Sequence, residues 1–100
     1  MLKEKFVNNG DVQIQYLIVN YSPDKIPLII IPGAIVDADS FYKSIKAHIN
    51  FYCIIISIRG RGKSESPSEG YTKEDQISDI EAVVREENIN GFYILGHSGH

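Results

Sequence analysis

The sequence predicts an α/β fold, with a mostly parallel sheet entered through an N-terminal β-hairpin. Three observations carry that expectation. The segments Pro27 to Pro32, Phe51 to Ile58 and Gly91 to Gly96 are short apolar runs, as strands covered on both faces are. Helix-period patterns lie between them, and alternation of strand and helix implies right-handed βαβ crossovers. Ahead of them, Asn8-Asn9-Gly10-Asp11 separates two strand-like stretches, with Asn9-Gly10 supplying residues tolerant of positive φ.

The elements follow in order. Phe6-Val7 and Val12 to Val19 form the hairpin. Val12, Ile14, Tyr16 and Ile18 share one face. Gln13 and Gln15 open the other, which Leu17 and Val19 continue as apolar, so this strand becomes buried on both sides towards its end. Ser22-Pro23-Asp24-Lys25 is a turn. After the strand ending at Pro32, Asp39 or Ser40 caps a helix reaching about Ile49, with Phe41, Ile45, His48 and Ile49 as its apolar stripe. Thr72 and Asp75 have capping-box spacing for a second helix reaching about Asn88. Ile77, Ile80 and Val84 line one of its faces, Glu81 and Arg85 pair at i,i+4, and Asn90-Gly91 ends it. No internal repeat or linker divides the chain, so its 100 residues make one domain at most.

Composition narrows the function. A hydrophobic fraction of 43% suits a folded protein, and a net charge of −3 with both signs scattered speaks against nucleic-acid binding. The only basic cluster, Arg59, Arg61 and Lys63, is followed closely by Glu65, Glu69 and Glu74. The single cysteine, Cys53, lies in an apolar run and reads as a buried small hydrophobe. No histidine or cysteine spacing calls for a metal, and no cofactor is implied. The start of the chain lacks the apolar core of a signal peptide, and the longest apolar stretch, around Ile26 to Val36, contains two prolines and is too short to span a bilayer. A soluble cytoplasmic protein with no membrane partner is expected.

The chemistry concentrates at Gly96-His97-Ser98-Gly99-His100, directly after the last strand. A serine on a sharp strand-to-helix turn is thrust out of the sheet, and residues two before and two after it are normally small. Gly96 meets the first demand, whereas His100 stands where glycine is usual. Gly62-Lys63-Ser64 suggests a rival, a phosphate-binding loop. There the first glycine would have to be Ser57, and Pro67 follows where a helix should open.

Taken together, three segments resemble the α/β-hydrolase fold superfamily, in its serine esterase, lactonase and haloperoxidase-like branch. Ile29-Ile30-Ile31-Pro32-Gly33-Ala34 is similar to the strand and loop that build the oxyanion hole, with Pro32 in place of the commoner histidine. Ser57-Ile58-Arg59-Gly60-Arg61-Gly62-Lys63-Ser64 is similar to the D-x-R-G-x-G-x-S loop, with Ser57 in place of aspartate. Gly96-His97-Ser98 is similar to the G-H-S nucleophile elbow. The resemblance covers essentially the whole chain and implies an α/β-hydrolase-type sheet, incomplete here, with its first five strands, its first two helices and the spatial order 1-2-4-3-5.

The resemblance further implies that residues 1–100 are the N-terminal part of a single hydrolase domain ending at the elbow. Ser98 would be the nucleophile, and the backbone N–H groups of Ala34 and Gly99 the oxyanion donors. Gly33, Gly96 and His97 would support the elbow and loop, His97 not being the base. A serine points to a small-molecule ester, lactone, thioester or C–C substrate, whereas an aspartate nucleophile marks dehalogenases and epoxide hydrolases. The acid and the histidine follow the serine in chain order in this family, so they are expected beyond residue 100. The chain is then a fragment, the product of a truncated gene, or completed by another chain, and is expected to be inactive alone. A non-catalytic or truncated relative is the alternative function, and a P-loop-like nucleotide binder the remote one.

Overall fold

The computed structural model describes residues 2–32, 38–57, 59, 64 and 73–96. Chain order is β1 (Leu2–Asn9), β2 (Val12–Val19), β3 (Leu28–Ile31), α1 (Ala38–Ile45), β4 (Cys53–Ser57), α2 (Lys73–Glu86) and β5 (Tyr93–Gly96). The strands form one mixed sheet in the order β1-β2-β4-β3-β5. β1 and β2 pair antiparallel, as do β2 and β4, whereas β3 runs parallel to both β4 and β5. The parallel triplet and the strand order are those the sequence led us to expect.

The hairpin is longer than its apolar pattern suggested, because β1 pairs with β2 from Leu2↔Val19 to Asn9↔Val12. Asn9 belongs to the ladder and Gly10-Asp11 makes the turn. Gly10 has φ 61°, the positive value at the first loop position that a type II′ hairpin requires.

Both faces of the central strands are covered, each by one helix. On one face Ile14, Tyr16, Ile29, Ile54 and Ile56 pack with Val83 of α2, and Ile80 and Val84 flank them. On the other, Leu17, Val19, Ile30, Cys53 and Ile55 pack with Ala38 of α1, flanked by Phe41 and Tyr42. Ile54, Ile55 and Ile56 are each fully buried, and each such side chain stabilises the fold by about 1.5–3 kcal/mol.

The helices depart from their expected limits. α1 stops at Ile45, and a turn continues it through Lys46 N–H to Tyr42 and His48 N–H to Ile45. His48 is exposed there rather than on the apolar stripe. In α2 the buried residues are Asp79, Ala82 and Val83, and Ile77 is 52% exposed. Of the expected stripe, Ile80 and Val84 do pack against the core, whereas Ile77 is displaced to the surface because Asp79, Ala82 and Val83 occupy the centre of the buried face. α2 ends before Asn90-Gly91. Asn88 takes φ 54°, its N–H donates to the Arg85 carbonyl, and the Ile89 N–H donates to the Val84 carbonyl. That is a Schellman closure with asparagine in the left-handed position, and Val84 and Ile89 both join the core beside it. Thr72, the proposed cap, lies outside the described residues.

Asp79 is buried because Arg59 meets it. The guanidinium donates from Nε to Oδ2 at 2.9 Å and from Nη2 to Oδ1 at 2.8 Å, and Asn9 Nδ2 adds a third bond to Oδ1 at 2.8 Å. One carboxylate thus ties α2 to the chain leaving β4 and to the hairpin. Arg59 is consequently no part of an open basic patch. A second tie joins Lys5 Nζ to Glu87 at 2.6 Å, and the Tyr16 hydroxyl donates to the same carboxylate.

Removing one partner of a buried ion pair leaves the other charge unpaired, at a cost of about 3–5 kcal/mol. Arg59→Met or Asp79→Leu alone should lower the unfolding free energy measured in urea by about that much, whereas the double variant should recover a large part. Equal losses in the single and double variants would contradict the pairing.

Alkali should also weaken the fold. Burial is the first cause raising the pKa of Cys53 to about 11 and those of Tyr16 and Tyr52 above their ordinary value; Glu87 adds to both tyrosines and Tyr21 to Tyr52. A raised folded-state pKa means that stability is complete below the unfolded value and falls above it. For Cys53 the loss runs from about pH 9 to about pH 11, with the tyrosines joining from about pH 10 upwards. Urea midpoints across that window should fall, and Cys53→Ala should remove the early part of the decline.

Candidate active site

Parallel strands put their C-terminal ends on one side of the sheet. Here those ends are Ile31 of β3, Ser57 of β4 and Gly96 of β5, with Ile31 and Gly96 in register as partners. The chain leaves β3 for α1 and β4 on one side, then crosses over to β5 on the other. α1 and α2 consequently lie on opposite faces. The β3/β5 boundary is the switch point where such sheets usually place their ligands.

The expected site residues follow directly from these ends. Gly33 and Ala34 come after β3 and Pro32; His97, Ser98 and Gly99 come after Gly96. All five, and His100, lie outside the described residues. Gly96 is described. Apart from its chain neighbours, no described residue comes within 4 Å of where its Cβ would stand.

What the structure does describe is how the surrounding loops are held, and most of it escaped the sequence reading. Gln15 looked like a solvent-facing strand residue, yet it is fully buried. Its side-chain oxygen accepts from the Ser57 hydroxyl at 3.0 Å, and its Nε2 donates to Asp39 and to Glu4, each at 2.8 Å. Ser57 Oγ in turn accepts the Ala38 N–H at 2.8 Å. Serine in the place of the family's aspartate therefore joins the end of β4 to the first turn of α1. Ser64, at the far end of the same glycine-rich loop, closes the β2–β4 ladder. Its hydroxyl accepts the Gln15 N–H at 2.8 Å and donates to the Ser57 carbonyl at 2.5 Å, bridging two register partners of the ladder. The sequence signal for this was that Gln15 and Ser57 are polar residues in apolar runs, and that Ser64 closes the glycine-rich pattern that begins at Ser57.

These bonds also bear on the nucleotide-loop rival. The Ser64 hydroxyl, which that reading would place on a magnesium ion, is buried and engaged with two backbone groups of the sheet. Among the described residues no group of three or more histidine, cysteine, aspartate or glutamate side chains could hold a metal ion, and no helix is long and apolar enough to cross a membrane.

A concavity of about 780 Å³ lies away from the switch point. Asn20, Asp24, Lys25, Leu28, Phe51 and Tyr93 line it, at the N-terminal ends of the parallel strands. Among the described residues β5 is the edge strand, with Tyr93, Ile94 and Leu95 each more than half exposed.

A family model described as the alpha/beta hydrolase fold matches residues 26–98. The chain belongs to the α/β-hydrolase family. No curated protein sequence matches it. Among solved structures it is similar to a bromoperoxidase from Bacillus anthracis, at 21% identity and a TM-score of 0.80, covering 96% of this chain and 35% of that one. It is similar to epoxide hydrolase A from Mycobacterium thermoresistibile, at 20% identity and a TM-score of 0.79, covering 98% and 32%. It is also similar to a serine hydrolase involved in carbazole degradation, at 24% identity and a TM-score of 0.76, covering 98% and 39%. Identities this low establish the shared fold alone. This α/β-hydrolase chain spans about a third of the length of these relatives.

The glycine-rich loop of this chain should depend on the Ser64 bridge. Ser64→Ala leaves the Gln15 N–H and Ser57 carbonyl without their common partner, and each unsatisfied buried group costs about 1–3 kcal/mol. The thermal midpoint should fall accordingly. A variant as stable as the parent would show that the two groups find other partners.

Proposed function

We propose that this α/β-hydrolase is a serine hydrolase acting on a small carboxylic ester, lactone or similar acyl compound, with Ser98 as nucleophile. The observation that carries the reading is the position of Gly96-His97-Ser98 immediately after β5, whose last residue is the register partner of Ile31 in β3. The nucleophile segment and the Gly33-Ala34 segment thus start from adjoining strand ends, on the side where the strand order reverses. Family membership supports the reading.

In the proposed mechanism, Ser98 Oγ attacks the acyl carbon. Its proton passes to a histidine, itself oriented by an acid, both expected beyond residue 100 as the family order requires. The carbonyl electron pair moves onto oxygen, where the Ala34 and Gly99 N–H groups stabilise it; collapse expels the alcohol, which takes the proton from the histidine. Water then releases the acid by the same route. Two amides suffice because each preformed donor at a developing oxyanion is worth about 3–4 kcal/mol. Gly33, Gly96 and His97 support the loop and elbow. We place the protein in the cytoplasm, with a small-molecule substrate as its only partner and no cofactor.

In a protein carrying the complete domain, a fluorophosphonate probe should label Ser98, and short-chain p-nitrophenyl ester turnover should fall by about 10⁵–10⁶-fold in Ser98→Ala. Ala34→Pro, which deletes one donor, should lower kcat by about 10²–10³-fold. Residues 1–100 expressed alone should turn over no ester, because a serine hydroxyl without its base is a poor nucleophile. Labelling that survives in Ser98→Ala would sink the assignment, and a complete domain that neither labels nor turns over would favour a non-catalytic relative.

A further inference from the structure

The register of the hairpin sets Lys3 opposite Ile18 and Lys5 opposite Tyr16, so these four side chains share the face on which α2 packs. α2 follows β1 along that face. Asn9 bonds to Ser78 and Asp79 near the middle of the helix, and Lys5 bonds to Glu87 just past its end. Lys3 and Ile18 come next on the same face, beyond the reach of the helix. A cavity of about 460 Å³ opens there, a size that suits a small molecule. Leu2, Ile18 and Tyr21 supply its apolar lining, and Lys3, Lys5 and Glu87 its charges. Two polar groups of this lining are not spent on the protein itself. Lys5 Nζ and the Tyr16 hydroxyl both donate to Oε2 of Glu87, and among the described residues nothing donates to Oε1. The Glu87 side chain is nevertheless only 14% exposed, and a buried acceptor left without a donor is costly. Lys3 has no carboxylate partner among the described residues.

We infer that this cavity binds a small apolar carboxylic acid that also carries a hydroxyl group. Its carboxylate meets Lys3, its hydroxyl donates to Glu87 Oε1, and its hydrocarbon body lies against Ile18 and Tyr21. The charges of the lining select this chemistry. Two ammonium groups and one carboxylate leave a single positive charge, which suits one carboxylate on the ligand. Lys5 already neutralises Glu87 at 2.6 Å, so a neutral donor completes Oε1 without a second cation. A multiply charged anion would bring surplus negative charge towards Glu87. The site is separate from the candidate active site. Leu2 pairs with Val19 and Val19 with Cys53, the first residue of β4, so the cavity lies at the end of the strands opposite to Ser57 and Gly96. β4 and β3 stand between it and β5, so a further strand on β5 leaves it open. The inference is independent of the serine hydrolase reading.

The test is a residue-resolved NMR titration of the complete protein with 8-hydroxyoctanoate, octanoate and 1,8-octanediol. The hydroxy acid should bind with a Kd of about 1 mM or tighter, moving the amide signals of Ile18, Tyr21 and Glu87 and leaving those of Ile31 and Gly96 in place. Octanoate lacks the donor and should bind about tenfold more weakly. The diol lacks the carboxylate and should bind about threefold to fivefold more weakly. Lys3 is exposed, so Lys3→Glu should keep the parent's thermal midpoint. That variant should bind the hydroxy acid about tenfold more weakly, losing an attraction and gaining a repulsion, with its affinity for the diol unchanged. Glu87 also holds Lys5 and Tyr16, so its part is read from the pair of acids and not from a variant. Unmoved signals at Ile18 and Tyr21 with about 20 mM hydroxy acid, or shifts confined to Ile31 and Gly96, overturn the site. Equal affinities for the two acids overturn the role of Glu87. An affinity for the hydroxy acid that Lys3→Glu leaves unaltered overturns that of Lys3.

Discussion

The need to cover both faces of β2, β3 and β4 organises everything else. Their residues are apolar on either side of the sheet, and a single helix can bury only one side. α1 and α2 must therefore take opposite faces. Right-handed crossovers can achieve this only if the chain goes one way from β3 to β4 and the other way to β5. The strand order reverses at the C-terminal ends of β3 and β5, the place where sheets of this kind usually bind ligands, so the location of the candidate site is a consequence of hydrophobic burial rather than a separate design.

Burial alone would leave the connecting loops loose, because apolar packing has no direction. Direction comes from a few buried polar groups. Arg59 and Asp79 join the exit of β4 to α2 through a planar, two-bond contact that admits one orientation. Ser64 joins the far end of the same loop to the β2–β4 ladder, and Ser57 with Gln15 joins β4 to α1. Each contact lies near the strand ends where a site would be built. Their geometric demands fix the orientation of segments that apolar packing alone would not.

β5 forms a contrast with this ordered centre. It pairs with β3 on one side only, and Phe92, Tyr93, Ile94 and Leu95 face solvent on both surfaces. The solved relatives share the fold over nearly the whole of this chain, which accounts for about a third of theirs. An apolar edge of this kind invites pairing with a further strand, and it lies beside the proposed nucleophile.

The apolar runs by themselves determined the parallel triplet, since β3, β4 and β5 could be read from strands with no polar face. Gly10 marked the hairpin, and the glycine and serine spacings pointed to the family, because both rest on local backbone requirements visible within a few residues. Polar residues inside the core were not legible in this way. Gln15 alternates like an exposed strand residue, Arg59 sits among other cations, and Asp79 interrupts an apolar helix stripe; each looked solvated when taken alone. Their burial was decided by partners 20 to 42 positions away, Asp79 for Arg59 and Ser57 for Gln15. A charge or amide is stable inside a protein only when a matching group meets it, and that match exists only once the chain has folded.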